Sequence, residues 1–327
     1  MQNSITDVGN IKVGQAQNQD AMTGCTVILA EKGAVAGVSQ RGGAPGTRET
    51  DLLRPNHLVK EVHAVLLTGG SAFGLNAAAG VMQYLEEKRI GFKTGSAFVP
   101  IVPGAVLYDL DIGDPKVRPD ADMGYLACQN ASTHKPSEGN FGAGTGATVG
   151  KIFGMHGAMK SGVGTSSRSI GGGIIMGAIV AVNAFGDVLN YQNRQIIAGA
   201  RKPQVANIIK KPELVFANTL EVMGTMIGRG VMSFASKQNT IIGVIAVNAK
   251  LDKSGANRLA ECASDGIGLT IQPAFTMFDG DTVFALSTDS KKTDINILCA
   301  FAPLIFADAI LSAVKNAEPA GGLPAAL

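Results

Sequence analysis

The amino-acid sequence predicts an α/β fold on three observations. Apolar, β-branched runs bounded by turn residues recur along the chain and read as buried strands. Longer amphipathic or apolar stretches stand between them and read as helices. Forty-two glycines with only 17% charged residues point to tight turns, close backbone approaches and buried subunit surfaces.

Taken in order, residues 25–30 and 34–39 look like the two strands of a hairpin turned at Glu31-Lys32-Gly33. The loop 41–50 that follows combines glycines with both signs of charge, the composition of a loop that lines a site. Residues 62–68 read as a strand that breaks at Gly69-Gly70, after which Ser71 opens a helix running to Arg89. Gly70-Ser71-Ala72-Phe73-Gly74 misses the G-x-S-x-G spacing of a nucleophile elbow by one residue, so Ser71 reads as an N-cap. Residues 100–109 are strand-like and 121–131 helical. The glycine-dense stretch 142–151 fits G-x-G-x-x-A, yet polar residues precede it instead of a strand. It also fails as a P-loop, because Thr145 stands where the first glycine belongs and Ile152 follows the lysine. Lys151 and Lys160 in this region are each either a solvated turn lysine or a positioned charge.

Residues 174–182 form another apolar strand, ending in Asn183-Ala184-Phe185-Gly186-Asp187. Asn183 there is either a turn former or an amide aimed at an oxyanion. Residues 194–212, with several basic side chains and two prolines, read as a surface connector. Beyond it come a helix at 253–268, a strand at 282–287 and a long apolar helix at 295–317, interrupted near Pro303. The apolar stretches 170–184 and 295–314 carry Gly, Asn, Pro or Asp where a membrane span would avoid them, and read as core. Asp279-Gly280-Asp281 is a polar turn opening the 282–287 strand; if already extended, it puts both carboxylates on one side.

Composition excludes several functions. With 327 residues and 46% hydrophobic content the chain can fill one large core or two moderate ones. Lys+Arg 28 against Asp+Glu 26 leaves +2, no field for a nucleic acid, an anionic membrane or a polyanionic substrate. Cys25, Cys128, Cys262 and Cys299 are scattered, with no CxxC and no Cys/His cluster, so neither a metal, another cofactor nor a disulfide framework is expected. A reducing, cytoplasmic location follows, and the N-terminus carries neither the basic nor the apolar region of a signal peptide.

The stretch that carries chemistry is Lys237-Gln238-Asn239-Thr240-Ile241-Ile242, where a polar turn runs into an apolar, β-branched run. Thr240 is then the first residue of a strand buried on both faces, ordinarily just a β-former. With Asn239 before it and carboxylates later in the chain, it is also a candidate for self-cleavage. Its hydroxyl would attack the Asn239 carbonyl, the acyl group would shift from nitrogen to oxygen, and water would release the ester. Thr240 would become a new N-terminus holding a nucleophile and, in an α-amino group of pKa about 8, its own base. Four histidines without a Ser-His-Asp pattern suit that arrangement.

Four blocks together resemble the DmpA-type aminopeptidases: Asn239-Thr240-Ile241-Ile242, Asp279-Gly280-Asp281-Thr282-Val283-Phe284-Ala285-Leu286, Leu67-Thr68-Gly69-Gly70-Ser71-Ala72-Phe73-Gly74-Leu75 and Gly142-Ala143-Gly144-Thr145-Gly146-Ala147. That family includes L-aminopeptidase/D-esterases, β-peptidyl aminopeptidases and 6-aminohexanoate-oligomer hydrolases. The resemblance implies one domain, a four-layer αββα sandwich like that of the N-terminal-nucleophile hydrolases. It implies self-cleavage into an α chain, 1–239, and a β chain, 240–327, assembled as homotetramers or larger. By position it makes Thr240 the nucleophile, Asp279 and Asp281 its acidic pair, and Asn183 the asparagine beside it. Lys160, in Met159-Lys160-Ser161-Gly162, is similar to the family's lysine, with Lys151 as competitor because Ser161 replaces an expected glycine. Tyr108 resembles a substrate-side tyrosine. The Asn-Thr and Asp-Gly-Asp pattern is nearer the nylon-oligomer branch than the aminopeptidase branch, which has Ser in place of Asp279.

In these roles Asp281, supported by Asp279, would orient the Thr240 ammonium or hydroxyl. Two such carboxylates repel, so one has a raised pKa unless a cation such as Lys160 balances them. Asn183 and a backbone N–H would hold the oxyanion, a contribution of about 3 kcal/mol. The expected activity is hydrolysis of small peptides, amino-acid amides or amino-acid oligomers. The alternative is an uncleaved binding or scaffold protein that keeps the fold.

Overall fold

The structure, a computed structural model, describes residues 1–202, 216–225 and 239–326. The polar turn expected at Lys237-Gln238 and residues 203–212 of the expected connector lie outside them. Nine strands make the main sheet system: β1 (Lys12–Asn18), β2 (Thr23–Gln40), β3 (Thr47–Arg48), β4 (Glu61–Thr68), β5 (Gly104–Val106), β6 (Val163–Ser169), β7 (Ile175–Asn183), β8 (Thr240–Ala249) and β9 (Thr282–Lys291). The helices that cover it are α1 (Ala77–Glu87), α2 (Ala121–Gln129), α3 (Lys253–Thr270) and α4 (Ile295–Lys315). The strands pair in the order β6-β7-β8-β9-β2-β4-β5-β3, with β1 beside β2.

Alternation along the strands sorts the apolar side chains into three layers. From β8, Ile241, Ile245 and Val247 pack with residues of α3 and α4, whereas Ile242, Val244 and Ala246 pack with Val65 and Leu67 of β4. From β2, Val27 and Leu29 join α1 and α2, and Ile28 and Ala30 join the middle layer. The order of layers is therefore α3/α4, sheet, sheet, α1/α2, the αββα sandwich that the family resemblance implied.

β2 ties the two sheets together, and it corrects the first expectation. Residues 25–39 are not a hairpin but part of one strand of 18 residues. Its register against β4 shifts between Leu29 and Ala34, with Gly33 at φ 82, so Glu31-Lys32-Gly33 form a bulge that bends the strand. The early half pairs with β1 and β4 and the late half with β9, and these partners keep extended a segment that reads locally as a turn.

Four other expectations change. Gly70, in the left-handed region, stands at the cap position, and Ser71 lies inside a 3₁₀ helix, Ser71–Asn76, that leads into α1. The sharp turn there is fixed by Asp109, which accepts from Gly70 N–H at 2.7 Å. Of residues 100–109 only Gly104–Val106 is strand. The start of the expected connector is no bare surface segment, since Ile196–Ala198 pairs with Asp187–Leu189 and Ala198 and Ala200 are fully buried. α4 runs unbroken through Pro303, its packing on α3, β6 and β7 outweighing one missing N–H. α4 is the one described helix long and apolar enough to cross a membrane, and most of its buried residues belong to the layer beneath the β6–β7–β8 sheet.

That packing needs a strand with no side chain at one point. A Cβ on Gly164 of β6 would stand 2.2 Å from the backbone nitrogen of Ala313 and 2.3 Å from the carbonyl of Ala309, both in α4. Gly164→Ala is expected to destabilise the fold by about 1–3 kcal/mol through overpacking. Gly95→Ala, at a position with nothing within 4 Å, is expected to leave stability unchanged. Urea unfolding of the two variants checks the contrast.

Candidate active site

Strand direction assembles the site. β8 and β9 run parallel with Ile242 opposite Thr282, so Thr240 and the Asp279-Gly280-Asp281 turn lie at the same end of the sheet. β7 runs antiparallel to β8 with Asn183 opposite Thr240, which brings the last residue of β7 to that end. β2 is antiparallel to β9 with Gln40 opposite Thr282, and loop 41–50 therefore starts there too. Thr240 is the first residue of β8, and every residue of that strand is buried, as the sequence predicted.

The acidic turn is held by backbone on all sides. Asn239 bridges Asp279 in parallel fashion: Asn239 N–H donates to the Phe278 carbonyl at 3.1 Å, and Gly280 N–H donates to the Asn239 carbonyl at 2.8 Å. Loop 41–44 grips the other side, with Arg41, Gly43 and Ala44 donating N–H bonds to the carbonyls of Asp281, Thr276 and Asp279. Asp281 Oδ1 accepts from Ile241 N–H at 2.8 Å and its Oδ2 from Phe275 N–H at 3.3 Å. Asp279 Oδ2 accepts from the N–H and hydroxyl of Thr276, both at 2.7 Å. Both carboxylates thus face the Phe275-Thr276 turn, and both are buried. Burial, then the charge of Asp279, pushes Asp281 up to about 8. Burial also raises Asp279, opposed by its bonds to Thr276 and by the charge of Lys151.

The two lysines separate clearly. Lys160 Nζ donates to three carbonyls, those of Gly144, Ala147 and Ser161, at 3.0, 2.9 and 2.6 Å. Only an ammonium supplies three N–H donors, so this side chain is spent on holding the glycine-rich stretch 142–147 in place, even as burial pulls its pKa down to about 7. Asp109, the carboxylate beside it, is itself bound by Thr23 and Gly70. Lys151 Nζ instead donates to Asn183, to Oδ1 at 2.7 Å and to the carbonyl at 3.2 Å. Two bonds are what a neutral amine makes while keeping its lone pair free. Burial lowers Lys151 to about 7 against the charges of Asp279, Asp111 and Asp109. Lys151, the competitor in the sequence reading, is the lysine joined to Asn183 and in charge contact with Asp279.

Asn183 is fixed in orientation, its Oδ1 taking Lys151 and the N–H and hydroxyl of Thr148 while Nδ2 donates to the Tyr108 carbonyl at 2.8 Å. One Nδ2 hydrogen remains. The Tyr108 hydroxyl donates to Asp111 Oδ1 at 3.2 Å, and the two line a small cavity of about 10 Å³ with Thr148 and Lys151. Thr148 and Asp111 carried no signal in the sequence, since a lone Thr in a glycine-rich stretch and an Asp in a loop are ordinary. Among the described residues no group of three or more His, Cys, Asp or Glu is placed to hold a metal ion.

Residues 3–325 match peptidase family S58. An uncharacterised aminopeptidase of Mycobacterium bovis is 41% identical, over 98% of this chain and 96% of its own length. A 6-aminohexanoate-oligomer endohydrolase of Kocuria sp. is 30% identical, over 94% of this chain and 85% of its own. Among solved structures, the L-aminopeptidase D-Ala-esterase/amidase of Ochrobactrum anthropi, described as a variant of the Ntn hydrolase fold, superposes with a TM-score of 0.71 at 21% identity, covering 98% of this chain and 88% of that one. A β-aminopeptidase of Burkholderia sp. gives 0.66 at 22% identity, with 97% and 87% covered. These two share the αββα layering at identities that speak for the fold, while the near-complete match of residues 3–325 and the 41% identical relative establish the lineage: the chain belongs to peptidase family S58.

Proposed function

We propose that the protein is a self-processing amide hydrolase in which Thr240, freed by cleavage after Asn239, is the N-terminal nucleophile. The observation that carries the reading is the contact of the Asp279-Gly280-Asp281 turn with Thr240, whose Oγ1 lies 3.0 Å from where a Cβ on Gly280 would stand. Before cleavage the Thr240 nitrogen is an amide and cannot be a base. Lys151, held at Asn183 and neutral above pH about 7, takes the hydroxyl proton instead. Oγ1 then bonds the Asn239 carbonyl carbon, the C–N bond breaks as the nitrogen takes back the proton, and water hydrolyses the resulting ester.

In the cleaved enzyme the α-amino group of Thr240 is the base, Asp281 and Asp279 orient it, and the remaining Nδ2 hydrogen of Asn183 faces the oxyanion. Tyr108 and Asp111 lie on the substrate side. The printed activities of the relatives, aminopeptidase and oligomer endohydrolase, support amino-acid amides, small peptides or amino-acid oligomers as substrates. The same reading includes homotetramers or larger assemblies of αβ units in the cytoplasm.

Intact mass of the incubated protein is expected to show fragments ending at Asn239 and beginning at Thr240, and Thr240→Ala to leave one full-length chain; a wild-type chain that stays whole sinks the reading. The self-cleavage rate is expected to rise with pH through about 7, because Lys151 is protonated and without a lone pair below that value and free above it. Lys151→Met should abolish the rise and slow cleavage by about 10²–10⁴-fold. Lys160→Met should instead lower stability by about 3 kcal/mol, roughly 1 for each carbonyl left without its donor, with the pH rise retained. Cleavage rates across pH, together with urea midpoints, separate the two lysines.

A further inference from the structure

Self-cleavage needs a donor for the oxygen that gains charge when Thr240 attacks, and Asn183 is already committed on one side to the Tyr108 carbonyl. We infer that the backbone N–H of Gly280 is the oxyanion donor for cleavage of the Asn239–Thr240 bond, reinforced by Ala44 N–H acting through the same peptide unit. This rests on the self-processing reading above.

Gly280 N–H already donates at 2.8 Å to the Asn239 carbonyl oxygen, the atom that gains the charge in the attack. The carbonyl of that same Asp279–Gly280 peptide accepts from Ala44 N–H at 2.9 Å. Ala44 N–H, the 279–280 peptide and the Asn239 carbonyl thus form a chain in which each bond polarises the next, at a site where Asn239 and Asp279 are buried. The residues on both sides of that carbonyl are held, Asn239 N–H by the Phe278 carbonyl and Thr240 by its pairing with Asn183 of β7.

Two glycines make the approach possible. A Cβ on Gly280 would meet the Ala44 carbonyl at 2.5 Å and Thr240 Oγ1 at 3.0 Å, and one on Gly42 would meet the Asp279 carbonyl at 2.2 Å. The residue that touches both the nucleophile and the scissile carbonyl therefore has no room for a side chain. In the step itself, Oγ1 gives its proton to Lys151 and bonds the carbonyl carbon, and the carbonyl π pair moves onto the oxygen facing Gly280 N–H. When that pair returns, the C–N bond breaks and the Thr240 nitrogen recovers the proton.

Glycolic acid installed at position 280 of the full chain by nonsense suppression replaces the N–H with an oxygen and adds no atom beyond it. Conversion to the 239/240 fragments, followed by intact mass so that hydrolysis of the new ester itself is told apart, is expected to be about 100-fold slower than in the unsubstituted chain. Glycolic acid at Gly43, whose N–H goes to the Thr276 carbonyl at 3.1 Å, is expected to cleave close to the unsubstituted rate. Should the 280 ester not fold by circular dichroism, lactic acid at Ala44, which removes only the reinforcing donor, decides: slowed cleavage supports the assignment and an unchanged rate overturns it. An unsubstituted chain that cleaves while the folded 280 ester keeps pace also overturns it. An unsubstituted chain that stays whole means instead that the self-processing reading has failed.

Discussion

The parallel pairing of β8 with β9 is the constraint on which the site depends. Parallel neighbours begin at the same end of a sheet, so a threonine opening one strand and an acidic turn opening the next become adjacent although 38 residues lie between Thr240 and Asp279. Had the two strands run antiparallel, the turn would sit at the far end of a ten-residue strand, about 30 Å away. The connection that parallel pairing demands is supplied by α3, which also covers the sheet. β7 and β2, antiparallel to these two, then end at the same place and deliver Asn183 and loop 41–44.

Within that frame the charges are arranged as a buried balance. Burial raises both carboxylates, and the charge of Lys151, bonded to Asn183, opposes the rise at Asp279. Lys160, buried as Lys151 is, is chemically the same group with a different count of partners. Three carbonyls around Lys160 consume every donor of an ammonium, whereas Asn183 beside Lys151 takes only two. Partner geometry, rather than burial, is what differs between the two lysines.

Much of the fold was legible in the sequence. The runs that became β4, β7, β8 and β9 are apolar and β-branched, and Asp252 and Asp294 cap α3 and α4 by accepting from Gly255 and Asn296. Thr240, Asn183 and the acidic pair were nameable because they stand at the ends of such runs. The hairpin at 25–39 and the break at Pro303 misled for one reason: turn-type residues and proline report local preference, and both segments are held by partners distant in sequence.

The sequence by itself determined the main buried strands and helices and which residue types cluster at strand ends, because periodicity and turn chemistry act over a few residues. Only the tertiary structure decided that Lys151 and not Lys160 reaches Asn183, that Thr148 and Asp111 join the site, and that a backbone N–H at Gly280 meets the Asn239 carbonyl. A side chain's partners depend on strand order and direction, and a main-chain donor is carried by nearly every residue, so neither can be read from residue identity.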